Sequence, residues 1–214
     1  MVEPRPGPAA RSELRAVLEE ARRLGLLGPG PSEHQVHHAV ELARAIGPFD
    51  GHFLDLGSGG GVPGLVLAFE FPDASGCLLD AQRRRCAFLQ QAIERLDLIR
   101  RLTICCGRAE TLARDPALRH RFDLVVARSF GPPAVTAECA AGFLRPGGRL
   151  VVTEPPDDEA SAARWPTDAL ATLGYGPAER VRSGGTAVVR ITRAEVADDR
   201  YPRRDGVPAK RPLW

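Results

Sequence analysis

The stretch Leu54-Asp55-Leu56-Gly57-Ser58-Gly59-Gly60-Gly61-Val62-Pro63-Gly64, residues 54–64, determines the architecture of this 214-residue chain. Apolar residues lead into a cluster of glycines, and a second apolar run follows at 64–71. This pattern predicts a buried strand, a tight turn and a helix. Such a unit places backbone N–H groups around a bound group, so the stretch also predicts a ligand site.

Short apolar runs alternate with helical patterns after this stretch. Uninterrupted apolar runs are typical of strands buried on both faces, which indicates a mostly parallel sheet covered by helices. Strands are predicted at 53–56, 77–80, 102–106, 123–127 and 149–153, with helices at 64–71, 82–97, 108–114 and 134–144. Two further runs flank Ser183-Gly184-Gly185 and predict a terminal hairpin. The expected fold class is α/β, a Rossmann-like, doubly wound sheet.

The rest of the chain is predicted to form two attachments to this domain. Residues 1–48 are expected to be an N-terminal helical appendage, with 1–11 loosely attached. Its first helix is predicted from Ser12 to about Leu24, with Leu24 facing inward, and its second from Ser32 to near Gly47. Residues 49–193 form the predicted ligand-binding domain, and 194–214 form a basic, proline-rich tail.

Composition narrows the class of protein but not its activity. Hydrophobic residues make up 43% of the chain and charged residues 26%, which is typical of a soluble globular protein. The net charge of +2 neither indicates nor excludes nucleic acid. The N-terminus lacks the apolar run of a signal peptide, and we expect a cytoplasmic protein. The five cysteines lack metal-ligand spacing and are expected to be mostly free, buried thiols, and no metal is expected.

Two acidic residues near the glycine turn indicate which ligand it binds. Asp55 precedes Gly57 by two residues, where a carboxylate would repel a pyrophosphate and attract an ammonium or sulfonium group. Asp80 ends the next strand, at a separation from which an acid reaches a ribose diol. These features predict S-adenosylmethionine, whereas the turn alone also permits a nicotinamide dinucleotide or no ligand. The residues expected to contact the cofactor are Asp55, Gly57, Gly59, Gly61, Gly64, Asp80, Ala109 and Glu110.

The chain resembles the bacterial small-subunit ribosomal RNA guanine-N7 methyltransferases, also called glucose-inhibited division protein B. The stretch 54–64 is similar to that family's first motif, and Leu78-Leu79-Asp80 to its second strand. Gly107-Arg108-Ala109-Glu110 resembles its adenine-side turn, and Ala127-Arg128-Ser129 the end of its fourth strand. The tail from Tyr201 to Leu213 is the most distinctive match, because general methyltransferase motifs do not predict it.

The resemblance implies a class I methyltransferase fold with a seven-stranded sheet and a reversed last strand. It also implies S-adenosylmethionine as methyl donor and N7 of a ribosomal guanine as acceptor. The expected partner is ribosomal RNA or the small ribosomal subunit, with no DNA and no membrane, and a monomer is favoured.

One residue is expected to orient the acceptor. Arg128 follows the fourth strand, at the edge where open α/β sheets bind ligands. A guanidinium donates to guanine O6 or phosphate and is too basic to accept a proton, although Arg128 could instead pair with a nearby carboxylate. No general base stands out in the sequence. Guanine N7 carries a lone pair and no proton, so its methylation requires alignment and no base.

The tail supplies the cations predicted to bind RNA phosphates, which are Arg203, Arg204, Lys210 and Arg211. Its prolines predict an extended, non-helical strap near the cofactor cleft, and the alternative is a tail that only packs on the domain or is solvated. Glu154-Pro155-Pro156 stands where the family usually has a Lys-Gly pair. Two alternatives therefore stay open, a diverged methyltransferase acting on a small molecule and a cofactor-binding protein without activity.

Overall fold

A seven-stranded sheet lies at the centre of the molecule, in the order β3-β2-β1-β4-β5-β7-β6. The computed structural model describes residues 7–155, 161–196 and 198–214. The strands are β1 (His52–Leu56), β2 (Ser75–Asp80), β3 (Leu102–Cys106), β4 (Phe122–Ala127), β5 (Leu144–Glu154), β6 (Tyr175–Ser183) and β7 (Thr186–Arg193). Strands β1 to β5 run parallel to one another, whereas β7 is antiparallel to both β5 and β6. The fold class, the reversed last strand and the terminal hairpin are confirmed.

Helices cover both faces of the sheet, as a doubly wound fold requires. They are α1 (Pro8–Arg23), α2 (Ser32–Ile46), α3 (Gly64–Glu70), α4 (Arg83–Arg95), α5 (Ala109–Leu112), α6 (Pro133–Ala141), α7 (Ser161–Arg164), α8 (Thr167–Thr172) and α9 (Val207–Lys210). The first four pack on one face, and α5, α6, α8 and the C-terminal tail pack on the other. No helix among the described residues is long and apolar enough to cross a membrane.

The N-terminal helices differ from their prediction in two ways. Helix α1 begins at Pro8 and not at Ser12, because proline at the first helical position needs no backbone N–H partner. Leu24 lies just past the end of α1 and is 43% exposed, so its expected inward position is wrong. Residues 1–6 of the segment predicted to be loose lie outside the described residues. Both helices share one core with the sheet, and the domain boundaries predicted after 48 and 193 stay a prediction.

The cysteines are not all free thiols. Cys77 on β2 and Cys105 on β3 form a disulfide, with their Cα atoms 6.3 Å apart. The parallel register of the two strands brings them together on one face, two residues apart along the pair. Cys86, Cys106 and Cys139 stay free. Strand pairing, which spacing along the sequence does not reveal, explains why this contact was not predicted.

The C-terminal tail is bound to the domain along its length. The Arg203 side chain pairs with Glu138 on α6, with Nη2 2.7 Å from a carboxylate that is fully buried. The backbone nitrogen of Gly206 donates to Glu110 at 3.0 Å, and the Trp214 indole donates to the carbonyl of Arg164 at 2.9 Å. Helix α9 occupies one turn of a stretch that was expected to be non-helical, so that part of the prediction is wrong.

Replacing Arg203 by alanine is expected to destabilise the fold by about 3 kcal/mol, because the buried Glu138 carboxylate loses its ion pair. Arg204→Ala is the matched control, since Arg204 is exposed and adjacent. Urea unfolding of the two variants gives the comparison. Equal stability of the two proteins would show that the Arg203 pair does not anchor the tail.

Candidate functional site

The glycine loop connects β1 to α3 at the carboxyl edge of the sheet. The backbone nitrogens of Gly57 and Ser58 both donate to the carbonyl of Leu79 on β2, at 2.9 and 2.8 Å. Gly59 has a φ of +56° and its nitrogen donates to Asp80 Oδ2 at 3.0 Å. Two strand ends and the loop are therefore fixed to one another by backbone groups.

Asp55 on β1 is hydrogen-bonded to the residue at which this loop ends and α3 begins. Its side chain is buried, and Oδ2 accepts a hydrogen bond of 2.8 Å from the backbone nitrogen of Gly64. Burial raises the pKa of Asp55 to about 6, because the carboxylate loses its hydration, and hydrogen bonds from Ser58 and Gly64 offset only part of this effect. The residue lines neither of the two cavities described below. Asp55 therefore stabilises the loop through Oδ2, whereas its Oδ1 has no hydrogen-bond partner among the described residues, and its contact with the cofactor stays a prediction.

Gly64 is required for packing, and Gly59 lies close to a neighbouring segment. A Cβ at Gly64 would lie 2.6 Å from Asp55 Oδ2 and 2.3 Å from Leu78 Cδ2, so only glycine lets α3 start against β1. A Cβ at Gly59 would face the carbonyl of Leu26 at 3.3 Å, in the segment that follows α1.

The first of two cavities lies beside the loop, over the ends of β1, β2 and β3. It has a volume of about 360 Å³, within the range of small-molecule sites. Four of the eight predicted cofactor residues line it, namely Gly57, Asp80, Ala109 and Glu110, whereas Asp55, Gly59, Gly61 and Gly64 do not. We call it the donor cavity.

Asp80 is the polar anchor of the donor cavity. Its Oδ1 accepts from the backbone nitrogen of Gln82 at 2.8 Å, and its Oδ2 accepts from Gly59 and lies 3.4 Å from Arg85 Nη1. Each carboxylate oxygen keeps acceptor capacity for a further donor. A ribose diol at this position can donate to both oxygens, so the chemistry of the cavity fits the adenosyl part of S-adenosylmethionine.

The second cavity lies over the ends of β4, β5 and β7 and has a volume of about 350 Å³. Its charged lining residues include Arg128, Glu154 and Arg164. We call it the acceptor cavity.

Arg128 is held in place by α2. Its Nη2 donates to Gln35 Oε1 at 3.2 Å, whereas Nη1 is buried without a hydrogen-bond partner among the described residues. Burial lowers the pKa of Arg128, but a guanidinium stays charged in proteins. The predicted alternative, an ion pair with a carboxylate, is absent among the described contacts of Arg128.

A short segment after β4 separates the two cavities. Ser129, Phe130 and Gly131 line both of them. The Phe130 ring lies against Gly57, where a Cβ would be 2.7 Å from Cδ2 of the ring. Ser129 has a φ of +54°, an uncommon conformation for a residue with a side chain. A ligand in one cavity is thus separated from the other cavity by this three-residue segment.

His38 at the mouth of the acceptor cavity was not assigned a role from the sequence. Its Nδ1 lies 2.9 Å from Thr186 Oγ1, and its pKa is lowered by burial and by the nearby Arg128, so the imidazole is mostly neutral at pH 7. Gln35 and His38 are three residues apart on α2, a spacing that places both on one side of a helix. This three-residue spacing is the feature of the sequence that could have placed Gln35 and His38 at the same site.

The four tail cations predicted to bind RNA do not share one environment. Arg203 is engaged with buried Glu138, whereas Arg204, Lys210 and Arg211 are exposed. Ala209, between them, lines the donor cavity. The tail thus reaches the cofactor cleft, as the strap hypothesis expected.

Comparison with known proteins relates this site to one family. The model of the family described as rRNA small subunit methyltransferase G matches residues 28–167. The ribosomal RNA small subunit methyltransferase G of Symbiobacterium thermophilum is 34% identical, with 99% of this chain and 93% of that protein covered. The protein of the same name from Moorella thermoacetica is 36% identical over 75% of this chain and 68% of its own length.

Solved structures with a similar fold include methyltransferases of low sequence identity. An O-methyltransferase from Bacillus cereus in complex with SAH has a TM-score of 0.58 and 15% identity, covering 85% of this chain and 90% of that one. The mitomycin 7-O-methyltransferase has a TM-score of 0.60 and 18% identity, covering 76% and 55%. These similarities establish the fold.

Replacing Asp55 by asparagine is expected to remove a pH-dependent loss of stability. Because the folded-state pKa is raised, the protonated carboxyl stabilises the fold below about pH 4, and this contribution is lost as the pH rises to about 6. Wild type should lose about 2 to 3 kcal/mol relative to Asp55→Asn over this interval and nothing further above it. Denaturant unfolding of both proteins from pH 4 to pH 8 measures the difference, and a constant difference would contradict the assignment.

Proposed function

The chain belongs to the rRNA small subunit methyltransferase G family, and from this premise we propose that it transfers the methyl group of S-adenosylmethionine to N7 of a guanine in small-subunit ribosomal RNA. The observation that carries the proposal is the pair of cavities that meet at Ser129, Phe130 and Gly131. A donor on one side of this segment and a base on the other lie next to each other, with the Phe130 ring against Gly57 between them.

The donor cavity holds the cofactor through residues that do not change charge during the reaction. Asp80 accepts from the ribose hydroxyls, and Ala109 and Glu110 border the adenine side. Gly57 leaves the passage to the acceptor cavity free of a side chain of its own. S-adenosylmethionine, when bound, supplies an electrophilic methyl group on a sulfonium. The protein's contribution is to orient this group, and alignment of two reactants can lower a barrier by about 7–11 kcal/mol.

Arg128 orients the acceptor. The unpartnered Nη1 is a buried donor at the wall of the acceptor cavity, and such a group gains free energy when an acceptor reaches it. Guanine O6, next to N7, is an acceptor of this kind. Because N7 has no proton to lose, the reaction proceeds without a general base.

The exposed tail cations Arg204, Lys210 and Arg211 contact phosphates of the RNA near the donor cavity. Arg203 has a different role in this proposal, since its guanidinium holds the tail to Glu138. Ribosomal RNA or the small ribosomal subunit is the partner, and the protein acts in the cytoplasm as a monomer.

A small hydroxyl-bearing acceptor is the second candidate, and the position of His38 favours it. A neutral imidazole at the mouth of the acceptor cavity can take a proton from a hydroxyl group, which N7 methylation does not require. The two candidate functions therefore differ in the role of His38, which is a general base for a hydroxyl acceptor and is not needed as a base for guanine N7.

Cells lacking the gene are expected to lose one 7-methylguanosine from small-subunit ribosomal RNA, as mapped by mass spectrometry of nuclease fragments. Complementation with wild type should restore it. Arg128→Ala should slow transfer by about tenfold or more while leaving the affinity for S-adenosylhomocysteine unchanged, since Arg128 lines only the acceptor cavity. An RNA with every 7-methylguanosine intact in the deletion strain would refute the proposed acceptor.

His38→Asn separates the two candidates. Asparagine keeps a group that can bond to Thr186 but cannot act as a base. If N7 is the acceptor, the variant should retain transfer within about tenfold of wild type, and the wild-type rate should not follow an imidazole titration below about pH 6.5, where the lowered pKa of His38 lies. A loss of about a hundredfold or more, together with loss of a pH-dependent limb seen in wild type, would indicate a base and a hydroxyl acceptor.

A further inference from the structure

The carboxyl edge of the sheet presents its polar side chains in a definite order. Asp80 ends β2, Gly57 follows β1, Arg128 follows β4 and Glu154 ends β5. These four strands are consecutive neighbours in the sheet. Adjacent strands lie about 4.8 Å apart, so each step along the edge is close to the separation of O6 and N2 across the Watson–Crick edge of guanine. The donor cavity covers the first two strands, and the acceptor cavity covers the last two.

Glu154 is a buried anion at the wall of the acceptor cavity. It is 8% exposed, and it lines this cavity together with Arg128. Its Oε2 lies 2.6 Å from Arg164 Nη1, and its Oε1 accepts from the Trp165 indole at 3.2 Å. Arg164 and Trp165 thereby hold the carboxylate in one orientation. An ionised carboxylate has about four acceptor positions, so two bonds leave capacity for further donors.

The donor and acceptor pattern of this wall matches guanine. Around the guanine ring, N7 is followed by the acceptor O6 and then by the donors N1–H and N2–H₂. With N7 facing the donor cavity, O6 reaches Arg128 on β4, and the two donors reach the next strand, where Glu154 stands. Adenine places an amino donor against Arg128 and an unprotonated N1 toward Glu154, so both contacts are lost.

We propose that Glu154 is the residue that selects guanine, by accepting hydrogen bonds from N1–H and N2–H₂ of the base in the acceptor cavity. This proposal rests on the proposed function, because it takes N7 of a guanine as the methylated atom. A base in this cavity must leave its stack in the RNA, and flipped-out bases are commonly recognised along their Watson–Crick edge, which carries N1–H and N2–H₂. The half-buried Phe130 ring offers the base a face to stack on.

Inosine in place of the target guanosine tests the contact, because inosine lacks only the 2-amino group. The substrate is the small-subunit ribosomal RNA segment that carries the mapped nucleotide, made with either base and used free and reconstituted with the ribosomal proteins. For wild type, kcat/KM with guanosine should exceed that with inosine by roughly 5- to 150-fold, the range for a specific base contact. Glu154→Gln should reduce this ratio and Glu154→Ala should bring it close to one.

The ratio is measured within one protein preparation, so partial unfolding of a variant cancels. Glu179→Gln is the matched control, because Glu179 also pairs with an arginine, Arg190 at 2.8 Å, but lies on β6 outside the acceptor cavity. Its ratio should equal that of wild type. The affinity of every variant for S-adenosylhomocysteine should be unchanged.

A wild-type ratio near one, or a ratio that neither Glu154 variant changes, would overturn the role of Glu154 and leave the proposed function intact. Absence of transfer to either RNA by wild type would refute the proposed function and, with it, this inference. A ratio lowered equally by Glu179→Gln would show that the effect does not arise in the acceptor cavity and would also overturn the proposal.

Discussion

The hydrogen bond between the backbone nitrogen of Gly64 and the buried Asp55 carboxylate is the contact on which the site depends. It joins the middle of β1 to the first turn of α3 at 2.8 Å. It exists only because residue 64 has no side chain, since a Cβ would lie 2.6 Å from the accepting oxygen. With strand and helix fixed in this way, the loop between them reaches β2, where the nitrogen of Gly59 meets Asp80. The donor cavity starts from this loop, because Gly57 lines it, so the Asp55 carboxylate helps to fix the position of the loop that borders the donor cavity.

The chemistry of the site is arranged along one line because parallel strands end at the same edge of the sheet. The donor cavity has the carboxylate of Asp80 at the end of β2, and the acceptor cavity has the guanidinium of Arg128 after β4 and the carboxylate of Glu154 at the end of β5. The carboxylate of Asp80 can accept from the hydroxyl groups of a ribose, whereas Arg128 and Glu154 together suit a ligand that has a hydrogen-bond acceptor next to a donor. Gly57, between them, contributes no side chain and leaves that place to Phe130. One sheet edge can therefore hold two chemically different ligands next to each other.

The sequence predicted what depends on local pattern and missed what depends on contact between distant segments. Apolar runs and the glycine turn were sufficient for the order of the strands and of the helices up to β5, but not for α7, α8 and α9. Asp80 was placed correctly beside the cavity. The sequence did not reveal that the Asp55 side chain accepts a hydrogen bond from the backbone of Gly64, because this contact depends on how α3 packs against β1. It did not reveal that Gln35 holds Arg128, since 93 residues separate them. Nor did it show that Arg203 faces Glu138, as a run of tail cations gives no indication of which one is paired.

The two segments expected to be attachments in fact shape the cavities from opposite ends of the chain. Helix α2 supplies Gln35 to Arg128 and brings His38 to the mouth of the acceptor cavity. The tail supplies the nitrogen of Gly206 to Glu110 and places Ala209 in the wall of the donor cavity. Since both cavities are completed by residues outside 49–193, removing either segment changes the site itself as well as its surroundings. The tail also connects the two cavities, because it passes the donor side at Gly206 and ends at the carbonyl of Arg164, next to Trp165 on the acceptor side.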